Sequence, residues 1–132
     1  MTTRKILVID DEPEVCELTK LLLEHAGHTV VGVTESRQAS HLLEQETFDA
    51  VITDMLMPDK DGLEIMAELR RKHPGVRIIA ASGGGRVSSE SYLRIALQSG
   101  AHALLSKPFT HAELLACVEA AFQNAPAAKP AA

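Results

Sequence analysis

The chain has 132 residues, which fits one domain at roughly 150 residues per domain, with a core able to bury about two-thirds of the unfolded surface. Hydrophobic residues make up 45% and charged residues 23%, the balance of a folded globule rather than a disordered chain. The 18 Asp and Glu against 13 Lys and Arg leave a formal charge of -5. That excess argues against nucleic acid bound by phosphate neutralisation and suits carboxylates gathered around a cation.

Cys16 and Cys117 are the only two cysteines and lack metal-ligand spacing, so a reducing compartment is expected. No apolar run approaches the roughly 18 residues that span a bilayer, and no membrane partner is expected. The Ile6-Leu7-Val8-Ile9 run is too short for a signal peptide and ends in acid. A cytoplasmic location follows as the expectation.

The first strand is predicted from Lys5 to Asp10, and Asp10-Asp11 close it. A helix follows with Pro13 in its opening turn, an apolar side of Val15, Leu18, Leu22 and Ala26, and Gly27 to stop it. Thr29 to Thr34 reads as the second strand, and about Ser36 to Glu46 as a helix with Ala39, Leu42 and Leu43 inward. The third strand is Ala50 to Asp54. The helix after it opens at Asp61-Gly62-Leu63-Glu64 and stops before Pro74. Val76 to Ser82 forms the fourth strand, and a helix from Ser88 or Ser89 to Ser99 is closed by Gly100. Ala103 to Lys107 forms the fifth strand. Thr110-His111-Ala112-Glu113 then begins a last helix with a capping box, its apolar face being Leu114, Leu115, Val118 and Phe122.

Continuous Val, Ile, Leu and Ala runs are those of strands covered on both faces. Alternation with helices predicts a doubly wound α/β fold, a parallel sheet with helices on both faces. One domain is expected over residues 1–124, with a short Ala/Pro-rich tail at 125–132.

In such a sheet ligands bind beyond the carboxyl ends of the strands. Asp10, Asp11, Asp54, Ser82 and Lys107 all fall there. Two unit charges about 4 Å apart repel by on the order of 4 kcal/mol at an effective dielectric near 20, so the acids need neutralising. Lys107 supplies one positive charge, and Mg²⁺ suits the hard oxygen donors. Asp54 is then the candidate nucleophile for a phosphoryl group. Acids at strand ends also cap helices, and Asp11 before Pro13 is open to that plainer role. The six histidines lack zinc-like spacing and read as loop or surface residues, and Met55 and Met57 as packing.

Asp10-Asp11, the segment Asp54-Met55-Leu56-Met57-Pro58-Asp59-Lys60-Asp61-Gly62, Ser82, and Lys107-Pro108-Phe109 together resemble the receiver domains of two-component response regulators, over about residues 4 to 124. The resemblance implies a flavodoxin-like (βα)5 fold with strand order 2-1-3-4-5. It implies Asp54 as phosphoacceptor, Asp11 as a direct Mg²⁺ ligand, Asp10 as a ligand through water, and the Leu56 backbone carbonyl as a further ligand. Ser82 and Lys107 would contact phosphoryl oxygens, with Gly83 admitting close backbone approach. The implied donor is a phosphohistidine on a sensor histidine kinase or phosphotransfer protein.

Leu104 stands where receivers commonly carry Tyr or Phe, which implies switching without an inward-turning ring. Leu56 and Gly84, two past the aspartate and the serine, imply a longer-lived acyl phosphate, since Leu56 cannot orient water. A stand-alone receiver acting by protein contact or phosphate relay is the expectation, as a monomer or weak homodimer without a nucleic-acid partner. It would not be a turnover enzyme on external substrates. Three alternatives are a fragment of a hybrid kinase or longer regulator, a receiver-fold scaffold that is not phosphorylated, and a small Mg²⁺ phosphatase. Against the last, Leu56 stands where a second acid would be needed.

Overall fold

Ala50-Val51-Ile52-Thr53-Asp54 is buried at every position, as a strand must be when helices cover both of its faces. The computed structural model describes residues 3–55, 62–83, 94, 97–98 and 100–123. Its strands are β1 (Lys5–Ile9), β2 (Thr29–Val33), β3 (Ala50–Asp54), β4 (Arg77–Gly83) and β5 (Ala103–Lys107). Its helices are α1 (Pro13–His25), α2 (Ser36–Gln45), α3 (Gly62–Lys72) and α4 (His111–Gln123). The helix predicted before Gly100 falls largely outside the described residues, and the predicted tail falls wholly outside them. All strand pairs are parallel, in the order β2-β1-β3-β4-β5. The fold is the doubly wound one expected.

The sheet divides two apolar cores. On one side Leu7, Ile9, Val51 and Ile78 pack with Leu43 of α2 and Ile65, Met66 and Leu69 of α3. On the other, Ile6, Val8, Ile52 and Ile79 pack with Cys16 and Leu23 of α1 and Leu114 and Val118 of α4. The side chains alternate between faces because successive strand residues point opposite ways.

α1 turns a different side inward from the one expected. Cys16, Thr19 and Leu23 are buried, whereas Leu18 is 54% exposed and Leu21 52%. Four leucines at 18, 21, 22 and 23 offer two overlapping stripes, and close packing decides between them. A Cβ on Gly32 of β2 would lie 3.0 Å from Cys16 Sγ, so the helix approaches the sheet where glycine leaves room. Thr19 is admissible there because its hydroxyl donates to the Val15 carbonyl at 2.7 Å.

Most helix ends follow their sequence signals. Gly27 takes φ +101° after α1 and Gly100 takes φ +108° before β5, a region that favours glycine. At α4 the Thr110 amide donates to Glu113 Oε1 (2.8 Å) and the Glu113 amide to Thr110 Oγ1 (3.1 Å), closing the expected capping box. β4 begins one residue later than the apolar run suggested, at Arg77, which pairs with Ala50, and ends one residue later because Gly83 still pairs with Lys107.

Candidate functional site

The ladder sets the site. The Asp10 amide donates to the Val33 carbonyl at 3.1 Å, one step beyond the last residue of β1. Asp54 is the last residue of β3 and registers with Ala81, and Ser82 follows Ala81 on β4. Lys107 ends β5 opposite Gly83. Neighbouring parallel strands therefore deliver these side chains to one rim, with Asp54 on the central strand.

There the Lys107 ammonium donates to Asp10 Oδ2 at 2.6 Å and to Asp54 Oδ2 at 3.1 Å. Glu12 Oε1 lies 3.9 Å from the same nitrogen. Asp10 and Asp54 are 4% and 6% exposed, so neither is neutralised by bulk water. Burial alone would push the Lys107 ammonium down. Its hydrogen bonds and its attraction to Asp10 and Asp54 outweigh that and leave it above the ordinary lysine value. The backbone is fixed around them. Glu12 N–H donates to Asp10 Oδ1 (3.0 Å), the Met55 amide to the Ala81 carbonyl (2.9 Å), and Thr53 Oγ1 to the Asp54 carbonyl (3.1 Å).

One carboxylate oxygen each from Asp10, Glu12 and Asp54 lies within 4.8 Å of the others. Among the described residues three acids meet one lysine here, and an all-oxygen donor set fits a hard divalent cation such as Mg²⁺. Asp11, to which the resemblance assigns the direct metal contact, is partly exposed and stands outside this group. Glu12 stands inside it and was not singled out from sequence. The signal was present, since Glu12 is the third acid in the run Asp10-Asp11-Glu12.

Ser82 is buried at the carboxyl end of β4, its hydroxyl 3.5 Å from the Gly83 carbonyl. A Cβ on Gly83 would meet Lys107 Cβ and Cδ at 3.6 and 3.7 Å, ordinary contact. Packing against Lys107 therefore does not require glycine there. The Lys107–Pro108 peptide is cis. Leu104 is partly buried against the core beneath α2 and α3, and its carbonyl accepts from Cys117 Sγ at 3.3 Å. Leu56, Met57 and Gly84 lie outside the described residues.

A parallel sheet in this order, with buried acids and a lysine at its carboxyl rim, defines a receiver-type domain. The family model for the response regulator receiver domain matches residues 6–119, and the chain belongs to that family. It is similar to the transcriptional regulatory protein TcrA of Mycobacterium tuberculosis, 35% identical over 127 residues, covering 96% of this chain and 49% of TcrA. It is also similar to the transcriptional regulatory protein CpxR of Escherichia coli, 35% identical over 116 residues, covering 88% and 48%. The chain thus spans about half the length of these curated relatives. Among solved structures, a response regulator receiver domain protein from Clostridium thermocellum matches with TM-score 0.80 and 32% identity, over 90% of this chain and 94% of that one. NtrX from Brucella abortus matches with TM-score 0.86 and 25% identity, over 92% and 27%.

The relatives named as transcriptional regulators leave the expected absence of a nucleic-acid partner unsupported. Among the described residues no helix is long and apolar enough to cross a membrane.

Proposed function

We propose that this chain is a phosphoacceptor receiver, taking a phosphoryl group onto Asp54 from a phosphohistidine of a sensor kinase or phosphotransfer protein. The observation that carries this reading is the Lys107 ammonium held between Asp10 and Asp54 inside a group of three acids. An Asp54 carboxylate oxygen attacks phosphorus, the P–N bond to the donor imidazole breaks, and its electron pair stays with the imidazole. The lysine is positioned to stabilise negative charge on a phosphoryl oxygen as it arrives. Asp10 and Glu12 join Asp54 as the acids grouped to hold Mg²⁺, with Asp11 and the Leu56 carbonyl added by resemblance. When bound, Mg²⁺ offsets the charge gathered between carboxylate and phosphoryl group. Ser82 and Gly83 lie beside Lys107 on β4, where a hydroxyl and a backbone amide can meet the remaining oxygens.

In this reading the phosphorylated domain signals by protein contact or phosphate relay, inside the cell, and turns over no external substrate. Intact-mass measurement after incubation with acetyl phosphate, with and without Mg²⁺, tests the chemistry. The expected result is one phosphoryl adduct that needs Mg²⁺ and is absent from Asp54→Asn. No adduct, where a control receiver is labelled, would favour a non-phosphorylated scaffold.

A further inference from the structure

Each margin of the sheet begins with a histidine in the same arrangement. His28 immediately precedes the edge strand β2, and its Nδ1 accepts the backbone N–H of Arg4 at 3.1 Å. His102 immediately precedes the other edge strand, β5, and its Nδ1 accepts the backbone N–H of Ile78 at 3.1 Å. In both cases the imidazole takes a ladder position from the neighbouring strand, across 24 residues of chain. The main chain closes the same joints: Thr29 N–H donates to the Arg4 carbonyl (3.0 Å) and His102 N–H to the Ile78 carbonyl (2.8 Å).

An Nδ1 that accepts cannot carry a proton, so both rings are neutral with hydrogen on Nε2. Protonation would set an N–H against an N–H at both margins. We propose that His28 and His102 are paired acid-released latches, holding the amino ends of both edge strands only while their imidazoles are neutral.

The surroundings act in the same direction. Around His28, which is 8% exposed, burial and the Arg4 guanidinium disfavour the proton more than Glu119 of α4 favours it. Around His102, burial and Arg77 of β4 disfavour it. Both folded rings therefore titrate below the ordinary histidine value. The stability they lend is present above about pH 6.5, the unfolded value, and is lost as pH falls toward the lowered folded values. β5 carries Lys107 at its far end, so releasing its start loosens the strand that presents the site's ammonium. Arg4 also pairs with Glu119 at 3.0 Å and stacks over Phe122 at 3.7 Å, so the β2 latch anchors α4.

Amide hydrogen exchange of the whole chain at pH 7.5 and 5.5, corrected for the intrinsic pH dependence, tests this. Protection at Arg4 and Ile78 is expected to fall by as much as about tenfold at each joint, the excess of protonated over neutral imidazole one unit below a pKa of about 6.5. Amides of Val8 and Ile52 serve as the internal reference. In the double variant His28→Asn, His102→Asn, the amide oxygen replaces Nδ1 as acceptor without titrating, and protection should hold. Unchanged wild-type protection, or an equal fall in the double variant, would overturn the proposal. NMR titration of the ring nitrogens needs no variant: both Nδ1 atoms should stay unprotonated at pH 6.5, and midpoints at or above 6.5 would also overturn it.

Discussion

Lys107 and Asp10 meet at 2.6 Å across the carboxyl rim of the sheet, a shorter contact than Lys107 makes with Asp54 at 3.1 Å. The lysine is therefore anchored by an acid that is not the proposed nucleophile. That leaves it free to shift toward an incoming phosphoryl oxygen without losing its own support.

Removing the lysine should cost stability before it costs chemistry. Its side chain is 11% exposed and those of Asp10 and Asp54 are 6% and 8%, so Lys107→Met removes an ammonium that two buried carboxylates share. Breaking a buried pair in this way costs about 3 kcal/mol. Urea unfolding should show that loss, and millimolar Mg²⁺ should recover part of it. A variant as stable as wild type would mean the acids are neutralised by another route.

The same ammonium sets an alkaline limit. Its folded pKa is raised above the ordinary lysine value by Asp10 and Asp54. Its stabilising contribution is thus complete below about pH 10.4, the unfolded value, and disappears as pH climbs through the folded one. Thermal midpoints of wild type should drop more steeply above pH 10.4 than those of Lys107→Met. Parallel curves would separate the lysine from alkaline unfolding.

Two glycines should respond oppositely to alanine. Gly100 holds φ +108°, and a Cβ there would lie 3.0 Å from Arg70 Nε, so Gly100→Ala should destabilise by at least about 1 kcal/mol. Gly75 has nothing within 4 Å of such an atom and no left-handed φ. Gly75→Ala should be neutral or stabilise by up to about 1 kcal/mol. Denaturant midpoints of the two variants check the contrast.

The thiols should be silent in the native state. Burial pushes Cys117 up to about 11. Burial, reinforced by the Asp10 charge, raises Cys16. Little thiolate is available to either at pH 8. Iodoacetamide should leave the folded chain unmodified by mass and add two groups in denaturant.

The sheet was legible because β3 and β5 are marked at their carboxyl ends by chemistry. Ala50 to Asp54 and Ala103 to Lys107 are apolar runs closed by a charged residue that cannot continue a buried strand. The Thr110 and Glu113 cap was equally plain, since both partners sit within one turn. Helix rotation was not, because Leu18 and Leu23 are equally apolar and only the backbone gap at Gly32 decides which faces the sheet. Spacing could not say which member of Asp10-Asp11-Glu12 joins Asp54 either, since the turn into α1 sets those directions. Nor could it show that His28 and His102 complete the ladder, which needs contacts between segments far apart in the chain.

The stack of Arg4 on Phe122 places the amino edge of β1 against the last turn of α4, at the base of the sheet. A five-residue strand is about 17 Å long, and that length separates this base from the acids. Both ends of the described fold are therefore neighbours, and both are remote from the rim. A domain of this shape can be spliced into a larger polypeptide, or circularly permuted through a short bridge at its base, with its reactive edge left unobstructed.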